Sequence, residues 1–265
     1  MNTPDMADRI IMLAGVHNFR DYGGYLATNG ARLRNGSLYR SAQHQEATAD
    51  DLARIGAINL ATVIDLRGAS EREKYPCARP DGFEGAVLFA DGETTTQLAA
   101  PHIEAARNVR TADDAMKAMI ASYCDMPFRP VLVGSMRLYF DSLATRDGPS
   151  LVHCLAGKDR TGVAVALLHH LLGVNDDDVM ADYLLTNVAG NVERRIAAGA
   201  RLVRKNHGPD ISDEAVRTLM TAHPAWLDAM FAAIRDRHGS IRDYADVVLG
   251  VSPELLAALE DRLLI

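Results

Sequence analysis

The sequence is short of several features that would place it in other classes of protein. Its three cysteines, Cys77, Cys124 and Cys154, are odd in number and widely spaced, which argues against a disulfide framework or a zinc site and suits a reducing compartment. No apolar run is long enough to cross a bilayer, and the run at residues 10–14 is too short for the core of a secretion signal. We therefore expect a cytoplasmic protein without stable membrane insertion, while export without a cleaved signal stays open.

Basic residues are fewer than acidic ones. Lysine and arginine number 28 against 35 aspartates and glutamates, and the net charge of −7 argues against nucleic-acid binding, because phosphate backbones favour basic surfaces. The balance does not exclude one local basic pocket. An acidic chain that binds a phosphate group must concentrate its positive field in one place.

The order of predicted elements indicates an α/β fold. Strands are predicted at 59–66, 86–90 and 150–154, with a helical pattern over 93–146, where prolines mark breaks, and another from residue 160 onward. A few strands followed by many helices predict a small central sheet flanked by helices, with additional helices C-terminal to the loop after residue 154. With 265 residues, we expect a single domain, 1–265, carrying a helical insertion at about 93–146.

Cap signals place several helix boundaries. Thr48 begins a capping box, and Asn175, Ser240 and Ser252 each precede a helical pattern. Gly173 is placed to end the apolar helix that starts near residue 160.

Residues 153–161 (HCLAGKDRT) carry the chemistry. Cys154 and Arg160 are separated by five residues, between a predicted strand and a helix start. Such a loop offers consecutive backbone N–H groups and the positive end of the helix dipole to a phosphate dianion, and both favour a thiolate as well. Arg160 can bridge two phosphate oxygens with its planar fork, and Gly157 lets the backbone curl around the anion. Cys154 is therefore the candidate nucleophile.

Other interpretations of this loop are weaker. A lone cysteine at a strand end is usually a small buried hydrophobe, and a Gly-Lys-Asp-Arg run is usually a solvated turn. A nucleotide-binding Walker loop would need glycine at 152 and serine or threonine at 159, where this chain has Val152 and Asp159. The neighbouring His153 should point away from the thiol, because successive strand residues face opposite sides, and we expect it to brace the loop.

The loop and several other segments resemble one known family. HCLAGKDRTG at 153–162 is similar to the signature of the bacterial tyrosine phosphatase family that includes the triple-specificity enzymes, which act on phosphotyrosine, phosphoserine or phosphothreonine, and phosphoinositides. The N-terminal blocks 18–25, 38–41 and 63–67 and the C-terminal blocks 182–187 and 238–240 also resemble that family. Residues 92–146 match least.

The resemblance implies a cysteine-phosphatase fold, no metal or other cofactor, and a reaction in two steps. By position, Cys154 would form the phosphocysteine, Arg160 would clamp the phosphate and Thr161 would help the sulfur leave. The remaining substrate-binding residues implied are those of the loop: Leu155, Ala156, Gly157 and Lys158.

The sequence offers two candidates for the general acid. The Trp-Pro-Asp loop of better-known tyrosine phosphatases is absent, since the only tryptophan is Trp226. In the resembling subgroup an aspartate inside the phosphate loop takes that role, and Asp159 matches it, while Asp91 remains the alternative. We expect Asp65 to order the site through a hydrogen bond or ion pair.

The sequence thus predicts a cysteine-dependent phosphatase that hydrolyses phosphate monoesters. The resemblance implies protein phosphotyrosine as the main substrate, with phosphoserine, phosphothreonine or phosphoinositides as further options. The alternatives are a phosphate-loop arsenate reductase or sulfur transferase, and a non-catalytic phosphate-binding module. For Lys158 two roles stay open, a solvated lysine that steers substrates and a direct contact to a second phosphate of a phosphoinositide. The expected partner is a phosphorylated protein or phosphoinositide, and the oligomeric state is open.

Overall fold

Strands occupy the first part of the chain and helices follow, as the sequence predicts. The computed structural model describes residues 6–95, 100–190 and 192–265. Within these ranges the strands are β1 (Arg20–Asp21), β2 (Leu38–Ser41), β3 (Thr62–Asp65), β4 (Ala86–Leu88) and β5 (Ser150–His153). The α-helices in the same ranges are α1 (Ala49–Gly56), α2 (Ala69–Lys74), α3 (Pro101–Ala105), α4 (Ala112–Asp125), α5 (Pro130–Thr145), α6 (Asp159–Leu171), α7 (Asp176–Leu184), α8 (Val192–His207), α9 (Asp213–Met220), α10 (Pro224–His238), α11 (Ile241–Val247) and α12 (Pro253–Leu263).

The five strands form one mixed sheet in the order β1-β2-β5-β3-β4. The central strand β5 runs parallel to β2 and β3, β4 is parallel to β3, and β1 is antiparallel to β2. The predicted α/β class with a small central sheet is confirmed. The strand predicted at 59–66 is shorter than expected, in part because Asn59 adopts a left-handed conformation with φ of 56° that an extended strand excludes.

The parallel strands end level with each other. Ser41 of β2 and Asp65 of β3 both pair with His153, the last residue of β5. The carboxyl ends of three neighbouring strands therefore meet at one edge of the sheet, which is where α/β sheets bind their ligands.

Alternating side chains place the sheet between two buried clusters. Val152 and Ile64 belong to the larger cluster, which packs against α5 and α6, whereas their neighbours Leu151 and Val63 belong to a smaller cluster near α1. This alternation is the period of two expected of a strand. It explains why every residue of β2, β3 and β5 is buried, since both faces of these central strands are covered.

The helix boundaries follow local chemistry. Thr48, Asn175, Ser240 and Ser252 cap the helices that they precede, each accepting a bond from a backbone N–H in the first turn, and Gly173 ends α6 with φ of 77°. These predicted boundaries are confirmed.

The segment 93–146 contains α3, α4 and α5, and its residues 96–99 lie outside the described ranges. Pro101 and Pro130 occupy the first turns of α3 and α5, and α4 ends at Asp125, just before Pro127, so the predicted breaks at prolines coincide with helix boundaries. α5 packs on β3 and β4, and α4 packs on α9 and α10. One buried cluster runs from Tyr22 to Leu263, which supports the proposal of a single domain, and the insertion remains a proposal.

Across the described residues, none of the helices combines the length and the apolar character that a membrane crossing requires.

Candidate active site

The candidate nucleophile lies where the central strand ends. Cys154 directly follows β5 and is only 2% exposed. The last residues of β2 and β3, Ser41 and Asp65, flank this end of the strand. Residues 154–158 then connect a buried strand to the N-terminus of α6, which begins at Asp159. A loop that closes on a helix start in this way favours a bound anion.

Gly157 has a conformation that requires glycine. Its φ is 63°, and a Cβ at this position would lie 2.4 Å from the backbone carbonyl of Ser41. The carbonyl oxygen of Gly157 accepts hydrogen bonds from Asn18 Nδ2 at 2.7 Å and from Arg40 Nη2 at 3.1 Å. Two buried side chains therefore fix the peptide in the middle of the loop.

The loop leaves backbone donors available. The N–H groups of Leu155, Ala156, Gly157 and Lys158 donate to no acceptor among the residues that the structure describes. The first N–H groups of a helix also have no intrahelical partner, so the start of α6 adds further donors. Buried backbone donors are nearly always satisfied, and a phosphate dianion would satisfy several at once.

Arg160 is held by one edge of its guanidinium. Both oxygens of Glu71 accept from it, Oε2 from Nη1 and Oε1 from Nη2 at 2.8 Å, and Thr94 Oγ1 accepts from Nη1 at 2.8 Å. Burial acts to lower the pKa of Arg160, but the charge of Glu71 outweighs it and raises the pKa above its ordinary value. The Nε atom is buried without a partner among the described residues, so this other edge is free for a phosphate.

Glu71 is itself fixed at the start of α2. Its Oε2 accepts from the backbone N–H of Gly68 at 3.0 Å, and the side chain is buried. Burial acts to raise the pKa of Glu71, but Arg160 outweighs burial and the pKa lies below its ordinary value. The carboxylate therefore stays ionised and orients Arg160.

Thr161 follows Arg160 on the first turn of α6 and is 0% exposed. Its hydroxyl has no hydrogen-bond partner in the described parts of the chain. A buried hydroxyl without a partner is costly, so an acceptor such as the sulfur of Cys154 or a bound phosphate suits this position.

Asp159 lies in a buried network at the start of α6. Its Oδ1 accepts from Tyr123 Oη at 2.9 Å and from Lys158 Nζ at 2.6 Å, and its Oδ2 lies 3.4 Å from His102 Nδ1. Burial acts to raise the pKa of Asp159, but Lys158 and His102 outweigh it and hold the pKa well below its usual range. Without a bound anion, this carboxylate is ionised at neutral pH.

Lys158 is buried rather than solvated. It is 0% exposed, and its Nζ lies 4.8 Å from the centre of the Trp226 ring as well as beside Asp159. The interpretation of Lys158 as a solvated steering lysine is therefore wrong, because tertiary packing of α10 covers the side chain. Burial lowers the pKa of Lys158, with Asp159 opposing that effect.

A second buried network supports the loop from behind. Asp182 on α7 pairs with Arg20 at 3.2 Å and with Arg40 at 2.6 Å, and all three side chains are buried. Burial acts to raise the pKa of Asp182, but Arg20 and Arg40 hold it well below its ordinary value. Since Arg40 also donates to Gly157, this network connects α7 to the phosphate loop.

Asp65 has the ordering role expected of it. It pairs with Arg67 at 2.7 Å and accepts from the backbone N–H of Arg67 at 3.1 Å. Burial acts to raise the pKa of Asp65, but neighbouring charges and the hydrogen bonds from Arg67 outweigh burial and lower it. His153 Nε2 lies 3.7 Å from Asp65, and its ring stacks on His44, on the side of the smaller cluster. Burial lowers the pKa of His153 to about 4, so its ring is neutral.

Asp91, the alternative acid, has different surroundings. Its side chain is 97% exposed and lies 4.0 Å from Arg72. Asp159, in contrast, lies within the first turn of the helix that follows the loop.

A cavity of about 300 Å³ opens over the loop. Its lining includes Leu155 and Ala156 from the loop, His102 from α3, Arg195 from α8 and Met220 from α9. Burial lowers the pKa of His102, with Asp159 opposing that effect. The structure thus brings helices from distant parts of the chain to the loop that the sequence singled out.

Reasoning from the sequence missed several residues of this site, among them Glu71, His102 and Arg195. Glu71 follows the end of β3 by six residues, so attention to the carboxyl ends of all the strands would have pointed to it. His102 and Arg195 reach the cavity only through packing between helices, and no local pattern marks either of them.

Within residues 6–95, 100–190 and 192–265, no group of three or more histidine, cysteine, aspartate or glutamate side chains is arranged to hold a metal ion.

Comparisons with known proteins agree with this geometry. Residues 11–265 match the tyrosine phosphatase family. The chain is 33% identical over 233 residues to a Cupriavidus necator protein named "Putative tyrosine-protein phosphatase", covering 86% of this chain and 80% of that one. It is 27% identical over 258 residues to the triple specificity protein phosphatase PtpB of Mycobacterium tuberculosis, covering 88% and 91% of the two chains.

A tyrosine-protein phosphatase of Nostoc commune is 25% identical over 240 residues, covering 86% of this chain and 74% of its own. The family match spans nearly the whole chain and includes the loop, the network behind it and the helices over it. The chain therefore belongs to the tyrosine phosphatase family and is a phosphoric monoester hydrolase.

Proposed function

We propose that the protein hydrolyses phosphate monoesters through a phosphocysteine on Cys154. In the first step the Cys154 thiolate attacks phosphorus, the P–O bond to the leaving group breaks, and the leaving oxygen takes a proton. In the second step water attacks phosphorus and gives a proton back to the group that protonated the leaving oxygen, the P–S bond breaks, and inorganic phosphate and the thiolate are released. The observation that carries the proposal is the buried cysteine at the end of β5, within a loop whose N–H groups are available.

The loop and Arg160 hold the phosphoryl group during both steps. The N–H groups of residues 155–158 and the Nε edge of Arg160 bind its nonbridging oxygens, and Glu71 keeps that edge in position. The hydroxyl of Thr161 donates to the sulfur as the P–S bond breaks. Each of these donors is in place before the substrate binds, so little reorganisation accompanies the reaction.

Asp159 is our candidate for the proton donor. It is ionised in the empty site, but a phosphate dianion beside a carboxylate disfavours its charge and raises its pKa. Binding of the substrate would thereby shift Asp159 towards the protonated form that an acid needs. Asp91 is the alternative proton donor, and kinetics can separate the two aspartates.

Phosphotyrosine in proteins is the substrate that fits best. Cys154 is 2% exposed under the helices around the cavity, so a phosphoryl group on a long aryl side chain reaches it more easily than one on the short side chain of serine. The names of the relatives from Cupriavidus necator and Nostoc commune specify tyrosine-protein phosphatases, in agreement with this choice.

A wider specificity is the second candidate, because PtpB, named for triple specificity, is similar over 88% of this chain. Only the similarity to PtpB supports phosphoserine, phosphothreonine and phosphoinositides as substrates of this chain. The buried position of Lys158 gives no support to a direct contact between its ammonium and a second phosphate on an inositol ring.

Hydrolysis of p-nitrophenyl phosphate tests the activity directly. We expect a burst of p-nitrophenol equal to the enzyme concentration when breakdown of the phosphocysteine limits turnover, and no dependence on EDTA. An arsenate reductase would consume thiol reductant with arsenate, and a binding module would release no p-nitrophenol. A panel of phosphotyrosyl and phosphoseryl peptides of one sequence, together with a soluble phosphoinositide, then ranks the substrates by kcat/KM.

A further inference from the structure

Arg195 is buried on α8, whereas two other arginines of that helix face solvent. On α8 the side chains of Arg194 and Arg201 are exposed, whereas Arg195 is 7% exposed. α8 packs on α9, and Arg195 Nη2 donates to the carbonyl oxygen of Met220 at the end of α9, at 3.4 Å. The packing of two helices therefore directs Arg195 inward.

One end of the Arg195 guanidinium has nothing to bind. Its Nη1 is buried and has no hydrogen-bond partner among the residues that the structure describes. No carboxylate of those residues lies within ion-pair distance of Arg195, although Asp159 and Cys154 are near enough to act on it through their charges. A buried guanidinium with an unpaired N–H group is costly, so an anionic partner is expected here.

The cavity shows where that partner would sit. Arg195 lines the same space as Leu155 and Ala156, whose N–H groups are among the available donors of the loop. Arg160 offers only its Nε edge, because Glu71 and Thr94 hold the other side. A second guanidinium from α8 would therefore add a donor on the side of the phosphate that Arg160 does not reach.

We propose that Arg195 is a further substrate-binding residue, whose Nη1 donates to the phosphoryl group seated on the loop. This inference rests on the proposed function, because it assigns to Arg195 the phosphate that Cys154 attacks. The contact links α8 to the bound phosphoryl group, so occupancy of the loop and the position of α8 are coupled. Inorganic phosphate, the product, makes the same contact.

The experiment measures inhibition by inorganic phosphate and by vanadate of p-nitrophenyl phosphate hydrolysis, at one pH and about physiological ionic strength. Arg195→Met removes the charge and keeps the length, Arg195→Lys keeps the charge, and Lys205→Met removes one exposed cation of the same helix that does not line the cavity. We expect the Ki for phosphate to rise about 10- to 100-fold in Arg195→Met, equal to about 1.4–2.8 kcal/mol. Arg195→Lys should show a smaller rise, and Lys205→Met less than about a twofold change because exposed charges are screened.

An unchanged Ki in a folded Arg195→Met variant overturns the inference, and so does an equal rise in Lys205→Met, which would indicate a general field. A raised KM for phosphotyrosyl peptides with an unchanged Ki for phosphate also overturns it, because the contact would then be to another part of the substrate. If Arg195→Met does not fold, the Ki of Arg195→Lys decides, since a point charge cannot reproduce the guanidinium geometry. Failure of the wild-type enzyme to hydrolyse p-nitrophenyl phosphate would instead refute the proposed function.

Discussion

Glu71 binds Arg160 through both of its carboxylate oxygens, and both side chains are buried. The pair joins α2 to α6 across the carboxyl end of the sheet. It occupies one edge of the guanidinium and leaves the Nε edge for the phosphate. Glu71 therefore acts on the substrate only through Arg160.

Glu71→Gln should lower kcat/KM because Arg160 loses the charge that orients it. Removing a partner that orients a functional group costs about 10- to 100-fold at metal sites, and we expect a similar loss here. The free energy of unfolding should fall by about 3–5 kcal/mol, since a buried cation loses its ion pair. Urea unfolding and steady-state kinetics measure both effects. Glu73→Gln, an exposed position on α2, is the matched control, and equal losses in the two variants would contradict the orienting role.

Gly157→Ala should disrupt the loop far more than an alanine at an unconstrained glycine with positive φ. A Cβ would meet the Ser41 carbonyl at 2.4 Å, in a segment that Asn18 and Arg40 hold in place. Gly30 has φ of 86° and no atom within 4 Å of the added Cβ. Gly30→Ala should therefore lower the free energy of unfolding by only about 1–2 kcal/mol, the cost of a left-handed backbone at a residue with a Cβ. Phosphate binding and activity should be lost in Gly157→Ala and kept in Gly30→Ala. Normal phosphate affinity in Gly157→Ala would show that the loop is not the binding site.

Asp159→Asn should depress hydrolysis of esters with poor leaving groups much more than esters with good ones. Proton transfer contributes about 10²- to 10⁴-fold and matters most for a basic leaving oxygen. For a series of aryl phosphates, the logarithm of the rate is plotted against the pKa of the leaving phenol. The slope of this plot should be steeper in Asp159→Asn than in the wild type. The high-pH decline of kcat should also disappear. Asp91→Asn is the control. A steeper plot in Asp91→Asn alone would assign the role of proton donor to Asp91 instead of Asp159.

Asp182 should make stability fall in acid. Its pKa is lowered in the folded protein, so its contribution is present above the ordinary pKa of about 3.9 and is lost as the pH falls towards the folded value. Asp182→Asn should lose about 3–5 kcal/mol at pH 7, because Arg20 and Arg40 keep their buried charges, and should show less further loss between pH 5 and pH 3. Urea unfolding across this range checks the prediction against Asp177→Asn, an exposed position on α7. Parallel pH curves for wild type and Asp182→Asn would contradict it.

The sequence was sufficient for three of the five strands and for the position of the loop between strand and helix, because their signals are local. The apolar runs at β3 and β5, the capping residues Asn175 and Ser240, and the Cys154 to Arg160 spacing each depend on neighbours in the chain. Pro101 and Pro130 also marked helix boundaries correctly, since proline interrupts the interior of a helix but suits its first turn.

The surroundings of the loop depend on contacts between distant segments. Nothing near Lys158 in the sequence shows that Trp226 covers it, and nothing near Glu71 shows that Arg160 is its partner. Nor does the sequence near Asp159 show that burial places its carboxylate in a network with Tyr123 and His102. Such features follow from the packing of helices, which spacing along the chain does not determine.

The most direct test of the central claim is to find the phosphoryl group on Cys154. Thr161→Ala removes the hydroxyl that assists the sulfur, so the phosphocysteine should break down more slowly and accumulate. Rapid acid quenching of this variant with p-nitrophenyl phosphate, followed by peptide mass spectrometry, should find one phosphoryl group on the peptide that contains Cys154. Cys154→Ser should show neither turnover nor label there. Phosphate on another residue, or full turnover in Cys154→Ser, would contradict the account.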